Sequence, residues 1–496
     1  MSDFALGVAS FPALLIMIFL RVPIGLAMFL VGFIGYVFVT GDGTIAFARL
    51  KNETFSTFGS YSLSIVPMFL LMGYFATLGG MSQALFKAAE SFLGHRKGGV
   101  AMAAIGACAG FGAICGSSLA TAATMSRVAL PELKRYGYSG GFATATLAAG
   151  GTLGILIPPS VVLVIYAIIT EQNIAKLFLA AFVPGILAAL GYCLAISVYV
   201  RVFPGRAGIR ERVPLSGRLQ AVIKVWPVLL IFGLVVGGIY AGWFTPTEGA
   251  AVGALGTAII ALVNGGLNRT TLLDSFYTTA RSSALIFLIV FGAAYYNGFL
   301  GLTQVPQELS GWVVEQGYSA YTILIMILVF YLLMGCFMDS LSMILLTVPI
   351  FFPVVISLDF GLVSWEAMQA VEAIKAMKDP ALVVSSEMLA SINQAIADGV
   401  ALSREQMNAI GINVTKGMAN RAAVEHTAIW FGILVLIVVE VGLITPPVGM
   451  NLFIINAMDK HTPLVETYKA VVFFVASDLV RVVLLMLFPA IVLFVL

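Results

Sequence analysis

Long, uninterrupted apolar runs constrain this 496-residue chain more than any other feature. Hydrophobic residues make up 60% of it and charged residues only 10%, whereas soluble domains carry about 25% charged residues. A helix needs about 20 apolar residues to cross a lipid bilayer, which leaves room for roughly ten or more spans. Lipid offers no hydrogen-bond partners, so these runs must be helices or re-entrant segments buried in protein. The sequence therefore predicts an all-α polytopic membrane protein.

The polar residues argue against several other functions. Basic residues are scattered among apolar spans, so we expect no nucleic-acid partner. The three histidines and four cysteines show no metal-ligand spacing, so we predict no cofactor and no structural metal. The chain has no GxxxxGK[ST] motif, so ATP is not its energy source. A membrane-embedded enzyme is an alternative from another class, but it would need paired catalytic residues that the spans lack, so we predict no catalytic residue.

A basic segment divides the chain near its middle. Residues 201–225 carry six basic residues and one acid, which by the positive-inside rule places them in the cytoplasm. We predict a first half at 1–200 and a second half that begins at 226. The first apolar run has no basic residue before it and no cleavage site after it, so we expect a mature helix and not a signal peptide.

The two halves repeat one pattern. In each, a serine in a small polar break is followed thirteen residues later by a proline, and further on by a double proline: Ser118, Pro131 and Pro158-Pro159, then Ser340, Pro353 and Pro446-Pro447. The serine lies 40 residues before the double proline in the first half and 106 residues before it in the second. The excess predicts a polar helical insertion at 362–427, which splits the second half into 226–361 and 428–496.

Each serine break predicts the tip of a re-entrant hairpin. Residues 119–131 would span only about 20 Å as a helix, too short to cross the bilayer. We therefore expect a chain that enters at Gly98, turns at Gly116–Ser118 and leaves toward Lys134-Arg135, with a matching tip at Met338–Ser342. Hydroxyl and carbonyl oxygens at such tips are hard ligands suited to Na⁺. Packing of helices by small residues is the alternative.

The double prolines predict broken helices. Proline is favoured at the first position of a helix, so we expect a helix to begin at Pro446-Pro447 with Thr445 as its cap. We expect unwound backbone in the glycine-containing stretch that precedes each double proline, Gly150–Gly154 in the first half and Gly442–Ile444 in the second. Unwound carbonyls at membrane depth suit a cation and helix N-termini suit an anion. Corresponding breaks in two halves point to a transport site.

Two acidic residues and one helix-capping motif complete the set of residues singled out in the sequence. Asp339 and Glu440 are ionisable groups in apolar stretches, which makes them functional candidates. Glu440 could instead accept a hydrogen bond that orders the helix break. Thr245 and Glu248, with Pro246 between them, predict a structural capping box.

Five segments together resemble the large membrane subunit of tripartite ATP-independent periplasmic (TRAP) transporters: Gly112–Ser118, Val128–Glu132, Ala149–Ser160, Thr245–Glu248 and Gly442–Asn451. The similarity runs from about residue 5 to the C-terminus, and the insertion is its departure from the family pattern. The resemblance implies two inverted repeats with re-entrant hairpins and broken helices, similar to the ion transporter superfamily. It also implies an elevator-type, Na⁺-driven importer of the bacterial inner membrane, with Na⁺ as the coupling ion.

The resemblance further implies two protein partners. One is a small four-helix membrane subunit, expected as a separate chain because no extra helices precede residue 5. The other is a periplasmic substrate-binding protein that delivers a small carboxylate, such as a C4-dicarboxylate, keto acid or sugar acid. A stand-alone secondary carboxylate transporter without a binding protein is the alternative.

Site residues are also implied by the resemblance, with each sodium ion between a hairpin tip and the facing helix break. The first sodium site would involve Gly116, Ser117 and Ser118 with Gly335 and Cys336. The second would involve Asp339, Ser340 and Ser342 with Thr445 and Pro446. Residues at the substrate or helix breaks would be Gly150, Gly151, Thr152, Pro158, Pro159, Gly449 and Asn451.

Overall fold

The computed structural model describes residues 2–378, 384–459 and 461–496. The regular secondary structure in these ranges consists of helices alone, joined by turns and loops. Six of the described helices are long and apolar enough to cross a membrane, or eight spans result if each of two bent pairs counts as one. Five further apolar helices are 10–17 residues long. The prediction of an all-α polytopic membrane protein is confirmed.

From residue 2 onward, the first half forms ten α-helices: α1 Asp3–Phe19, α2 Ile24–Thr40, α3 Gly43–Phe58, α4 Ile65–Leu78, α5 Met81–Leu93, α6 Gly99–Cys115, α7 Ser118–Arg135, α8 Gly140–Leu156, α9 Val161–Ile169 and α10 Ile174–Val202. A short 3₁₀ turn, Tyr61–Ser64, leads into α4. Hydropathy alone did not predict α3, because its charged residues Arg49, Lys51 and Glu53 interrupt the apolar pattern.

The described part of the remaining chain forms fifteen α-helices: α11 Leu215–Ile223, α12 Trp226–Phe232, α13 Gly238–Tyr240, α14 Pro246–Val263, α15 Arg269–Leu302, α16 Val305–Glu315, α17 Ala320–Gly335, α18 Ser340–Ile356, α19 Trp365–Ala376, α20 Ser386–Ala397, α21 Arg404–Ala409, α22 Lys416–Ile444, α23 Met450–Met458, α24 Leu464–Leu487 and α25 Ala490–Leu493. A π-helical turn, Gly233–Gly237, joins α12 to α13.

The predicted linker 201–225 is only partly a loop, because α10 enters it and α11 lies within it. Arg210 ties this segment to α5 through an ion pair with Glu90 at 2.8 Å.

The helices pack as two groups, and two central helices, α8 and α22, both lie in the second group. In one group, α2 packs along α15, and α4 packs against α14 and α15. In the other, α8 contacts α6, α7, α10 and α24, and α22 contacts α17, α18, α23 and α24. Residues 141–156 of α8 and 427–444 of α22 are buried throughout. These two helices occupy corresponding positions in the two halves, since each is followed by a double-proline break.

Ion pairs join the two halves at the ends of the second group. The Lys134 ammonium, on α7, lies 2.5 Å from the Asp459 carboxylate between α23 and α24. Burial raises the pKa of Asp459, but hydrogen bonds from Lys134 and Thr462 outweigh burial and leave that pKa below its usual value. A second pair joins Lys176 of α10 to Glu425 of α22, also at 2.5 Å.

The predicted insertion forms a small helical unit with its own core. Ala373, Ile392, Leu402 and Ile410 form this core, separate from the main one. The two chain segments that connect this unit to the rest of the protein, which we call its neck, lie close together. There the Trp365 indole donates a hydrogen bond to the Val414 carbonyl at 3.1 Å. The unit ends before Lys416, where α22 begins, so the last twelve residues of the predicted range 362–427 belong to a core helix. Residues 379–383 of that range lie outside the described residues.

The predicted capping box at the start of α14 is confirmed. Thr245 accepts a hydrogen bond from the Glu248 N–H, and the Glu248 carboxylate accepts one from the Thr245 N–H at 2.8 Å. Pro246 is the first residue of the helix, where its missing N–H costs nothing.

Candidate functional site

The first hairpin has the predicted turn, and its tip packs on the helix break of its own half. Tip 1 (residues 116–118) begins with Gly116, whose φ of 64° ends α6, and Ser117 then caps α7. The Gly116 carbonyl accepts a hydrogen bond from the Val161 N–H at 3.3 Å. A side-chain carbon on Gly116 would lie 3.0 Å from the Pro159 carbonyl oxygen. Glycine is therefore required both by the left-handed turn and by the close approach of the break.

The second hairpin repeats this relation. Tip 2 (residues 336–342) connects α17 to α18, and the Asp339 carboxylate caps α18 by accepting a hydrogen bond from the Ser342 N–H at 3.1 Å. The Cys336 carbonyl accepts a hydrogen bond from the Gly449 N–H at 3.3 Å. The Cys336 thiol points to the Pro446 carbonyl at 3.7 Å. Each tip is therefore joined by a backbone hydrogen bond to the break of the same half.

Both breaks lie at the double prolines themselves and not in the glycine-containing stretches before them. The chain leaves α8 at Ile157 and α22 at Thr445, and both residues have extended backbone angles. The physical reason is that a residue before proline is pushed out of the helical region. The prediction that Thr445 caps a helix starting at Pro446 is wrong, because Thr445 ends α22 and its hydroxyl donates to the Val441 carbonyl at 2.6 Å.

The next helices begin only beyond the prolines. Ser160 caps α9, its hydroxyl accepting a hydrogen bond from the Leu163 N–H at 3.4 Å. Gly449, with a φ of 64°, precedes α23. The axes of α8 and α9 differ by 44°. Pro158-Pro159 and Pro446-Pro447 thus form extended links, and neither is the first turn of a helix.

Both glycine-containing stretches are helical, which corrects the prediction of unwound backbone there. Gly150, Gly151 and Thr152 all lie inside α8, and residues 442–444 lie inside α22. A side-chain carbon on Gly150 would lie 2.7 Å from the Cys108 sulfur, and one on Gly151 would lie 2.6 Å from the Ala122 Cβ. These glycines allow both arms of the first hairpin to pack closely on α8, as small residues do between membrane helices.

The two tips meet at Glu440. The side chains of Ser340 and Ser118 both approach its carboxylate, which lies on α22 one turn before the break. Glu440 is 1% exposed. Among the described residues, neither Glu440 oxygen nor the Ser118 hydroxyl has a hydrogen-bond partner of good geometry. Three side chains from three helices therefore place their oxygens near one another in a buried interior.

Gly335 and Cys336, which the resemblance assigns to the first sodium site, contact the second break. A side-chain carbon on Gly335 would lie 3.0 Å from the Gly442 Cα, and Cys336 contacts Pro446 and Gly449. The candidates Asp339, Ser340 and Ser342 follow in tip 2, while Thr445 and Pro446 belong to that break. Their assignment as sodium ligands stays a prediction.

Asn451 connects the second break to the first half. It is fully buried on α23, and its amide nitrogen donates to the Ala148 carbonyl at 3.5 Å. Its side-chain oxygen has no partner among the described residues. Because α23 packs against α7 and α8, and α9 packs against α18, each half-helix after a break contacts the opposite half.

Sequence reasoning missed a buried polar chain beside this region. The hydroxyls of Thr152 and Tyr192 lie 2.9 Å apart, and Tyr192 donates to the Asp478 carboxylate at 2.7 Å. Asp478 in turn pairs with Arg481 at 2.8 Å, and both side chains are almost fully buried. The available signal was an acid and a base three residues apart in the last apolar run, since ionisable groups inside membranes are by default functional candidates.

Comparison with known proteins gives a consistent assignment. A family model described as "Tripartite ATP-independent periplasmic transporter, DctM component" matches residues 11–491. A C4-dicarboxylate TRAP transporter large permease protein, DctM of Pseudomonas aeruginosa, is 32% identical over 443 residues, covering 89% of this chain and 88% of that protein. The sialic acid TRAP transporter permease protein SiaT of Haemophilus influenzae is 26% identical, and the alignment covers 97% of this chain and 67% of SiaT.

One solved structure shares the fold. The crystal structure of the YdaH transporter of Alcanivorax borkumensis, described as having an unusual topology, aligns with a TM-score of 0.53 over 89% of each chain. Its sequence identity is 14%, so it bears on the fold alone.

Proposed function

The chain belongs to the family of DctM components, the large membrane permeases of tripartite ATP-independent periplasmic transporters, and from this premise we propose that it couples uptake of a small carboxylate to an inward sodium gradient. It is a transport protein of the bacterial inner membrane, as its relatives are. The observation that best supports the proposal is the convergence of tips 1 and 2 on the buried carboxylate of Glu440. Hard oxygen ligands at membrane depth suit an alkali cation.

Two protein partners belong to this proposal. A periplasmic binding protein would deliver the substrate, and a small four-helix subunit would complete the membrane part. The substrates after which two relatives are named, a C4-dicarboxylate and sialic acid, are both acids. This supports a carboxylate as the transported group here, and the binding protein would select among such acids.

The helix packing supports an elevator motion. The two hairpins and the two broken helices pack with α10 and α24 into one group, while α2, α3, α4, α14 and α15 pack mainly with one another. We propose that the first group carries substrate and ion across the membrane against the second. The extended links at both breaks would then lie inside the moving group, where protein and not lipid surrounds their free backbone groups.

The proposed function is tested in proteoliposomes that hold both membrane subunits, with the binding protein outside. The probe is labelled C4-dicarboxylate or sialic acid, whichever the binding protein retains. We expect accumulation under an inward sodium gradient, and none when potassium replaces sodium or when the binding protein is omitted. Undiminished uptake in potassium would refute the sodium coupling. Uptake without the binding protein would favour the stand-alone transporter.

The insertion lies on the periplasmic side in this arrangement. If the basic linker that follows α10 is cytoplasmic, the start of α10 is periplasmic. Lys176 near that start pairs with Glu425 of α22, so the first turns of α22 and the insertion neck are periplasmic too. The insertion begins and ends on α18 and α22, which pack together, so it would move with the transporting group.

Deletion of residues 366–413, bridged by a short glycine-serine linker, is expected to leave folding and most uptake intact. The reason is that the unit has its own core and that Trp365 and Val414 are already in contact across the neck. The matched control is deletion of 366–427, which also removes the first turns of α22 and the Lys176–Glu425 pair. We expect the control to fail in folding. If the shorter deletion inserts normally but transports nothing, the insertion belongs to the transport mechanism.

A further inference from the structure

We propose that a groove between α10 and α24 binds a long-chain fatty acid from the membrane, with its carboxyl head on the Arg481 guanidinium and its acyl chain along the two helices. The groove lies between residues 187–198 of α10 and 473–484 of α24, and its volume is about 380 Å³. This volume is in the usual range for small-molecule sites, about 300–1,000 Å³. The site contains no residue of either hairpin tip and does not depend on the proposed sodium coupling.

The groove opens toward lipid. Both helices are long and apolar enough to cross a membrane, and Leu194 and Val480 on the walls of the groove are each 66% exposed. Small side chains at Gly191 on α10 and Ala476 on α24 leave space between these walls. A ligand therefore reaches the groove from the hydrocarbon part of the bilayer, and most of its body must be apolar.

One buried charged side chain lines this apolar groove. Arg481 is 6% exposed, and its Nη2 atom pairs with Asp478 at 2.8 Å. Its Nε and Nη1 atoms have no hydrogen-bond partner in the described parts of the chain. Asp478 has little left to offer, since its other carboxylate oxygen already accepts a hydrogen bond from Tyr192 at 2.7 Å. A guanidinium has five N–H donors, and buried donors without acceptors are costly, so a ligand oxygen at this point would be stabilising.

The depth of Arg481 selects the kind of lipid. Asp478, about one turn before Arg481, binds Tyr192, which lies ten residues before the end of α10 at Val202. Ten helical residues span about 15 Å, half of a hydrocarbon core of about 30 Å. A phospholipid keeps its charged head at the membrane surface, because burying that charge is strongly unfavourable. A fatty acid carries one small head on one chain, and as the neutral acid it can enter the core.

The neutral acid also fits the charge of the site. Asp478 and Arg481 together carry no net charge, so a neutral head adds no charge to the buried group. The carbonyl oxygen of the acid would accept hydrogen bonds from the free donors of Arg481. Helical side chains tilt toward the N-terminus, so Arg481 leans toward the turn of Ser477, which also lines the groove. The O–H of the acid would donate to the Ser477 hydroxyl, and the acyl chain would pack on the apolar walls.

The test uses a palmitic acid analogue with a diazirine on its chain, added to the purified complex of both membrane subunits in lipid nanodiscs. After illumination, peptide mass spectrometry locates the label. We expect labelling concentrated in residues 187–198 and 473–484, lost in excess oleic acid and unchanged in the same excess of phosphatidylglycerol. Label spread evenly over the lipid-facing helices would overturn the site. Equal competition by phosphatidylglycerol would overturn the assignment to a fatty acid.

A blocking variant tests the groove without touching the buried ion pair. Ala476→Leu puts an isobutyl group in place of a methyl group on the wall of the groove, so it should weaken labelling by about tenfold or more. The matched control is Ala284→Leu, the same change at an exposed position of α15, which should leave labelling unchanged. Undiminished labelling of the groove in Ala476→Leu would contradict the proposal.

Two further comparisons test the role of Arg481. Arg481→Lys keeps a positive charge beside Asp478 but replaces the planar fork of donors by a compact ammonium, so labelling of the groove should fall. A diazirine-bearing alkane, which has no head group, should label the groove no more than other lipid-facing surfaces, and this comparison needs no variant to fold. If the alkane labels the groove as strongly as the acid, Arg481 anchors no ligand and the site is refuted. Labelling needs no sodium gradient, so its failure would leave the proposed transport function untouched.

Discussion

Asp478→Asn is expected to destabilise the folded protein by about 3–5 kcal/mol, because removing one partner of a buried ion pair leaves the other charge uncompensated. Arg481 lies 2.8 Å from Asp478, and the two side chains are 6% and 2% exposed. Asparagine retains the size of the side chain, so the loss would come from charge and not from a cavity. Tyr192 would also lose the carboxylate to which it donates at 2.7 Å.

A second ion pair of the same spacing provides the control. Lys375 and Glu372 also lie three residues apart on one helix, at 2.8 Å, but both are well exposed on the insertion. Exposed pairs contribute about 0–1 kcal/mol, so Glu372→Gln should barely change stability. The measurement is the unfolding temperature of the purified complex, with the amount of folded protein in membranes as a second reading.

A double substitution separates the charge from the packing. Asp478→Asn combined with Arg481→Met removes both charges, and replacing a whole buried pair by residues of similar volume is often close to neutral. We therefore expect the double variant to recover most of the stability that Asp478→Asn loses. If the double variant is as unstable as the single one, the effect lies in the hydrogen bond from Tyr192 and not in the ion pair.

The local features of the site could be predicted from the sequence. A Gly-Ser-Ser segment inside an apolar run is itself the signal for a tip, and tip 1 turns at Gly116 as expected. The capping box at Thr245 and Glu248 is equally local. Such features depend on residues within one or two helical turns of each other, so they can be inferred from the sequence alone.

Errors arose where two effects compete for the same residues. Proline favours the first turn of a helix but also forces the preceding residue out of the helical region, and at Ile157 and Thr445 the second effect decides where the helix ends. Glycines can unwind a helix or admit a close neighbour. At Gly150 and Gly151 the neighbours Cys108 and Ala122 lie too near for any side chain, which only the packing reveals.

Long-range partners could not be predicted at all. Tyr192 and Asp478 are 286 residues apart in the chain, and no local pattern links them. The same holds for Ser118, Ser340 and Glu440, which lie on three separate helices. The internal repeat predicted that two tips exist, but the buried carboxylate that both tips approach is known only from the packed structure.

Gly442→Ala is expected to abolish folding of the second hairpin onto α22, and with it all uptake. A side-chain carbon on Gly442 would lie 2.5 Å from the Gly335 Cα and 2.6 Å from its carbonyl carbon. Real side-chain carbons do not approach backbone this closely, and backbone on both sides leaves no flexible group to yield. Inserting atoms into a packed core typically costs about 1–3 kcal/mol, occasionally more, and we expect the upper end or beyond.

The functional loss follows from the position of this contact. Gly442 lies between Glu440 and the break at Thr445, and Gly335 directly precedes tip 2. A separation of α17 from α22 would therefore break the hydrogen bond from Gly449 to the Cys336 carbonyl and withdraw Ser340 from Glu440. Gly335→Ala should be milder, since its nearest contacts would be 3.0 Å and 3.1 Å.

The control is Gly301→Ala, on α15, where a side-chain carbon would meet no atom within 4 Å. Alanine is favoured over glycine in a helix by about 1 kcal/mol, so this variant should be as stable as the unmodified protein or slightly more stable. The unfolding temperatures of the three variants should thus rank Gly301→Ala first, Gly335→Ala second and Gly442→Ala last. Normal stability and uptake in Gly442→Ala would show that α17 and α22 do not pack this closely, and that the meeting of the two tips at Glu440 needs another support.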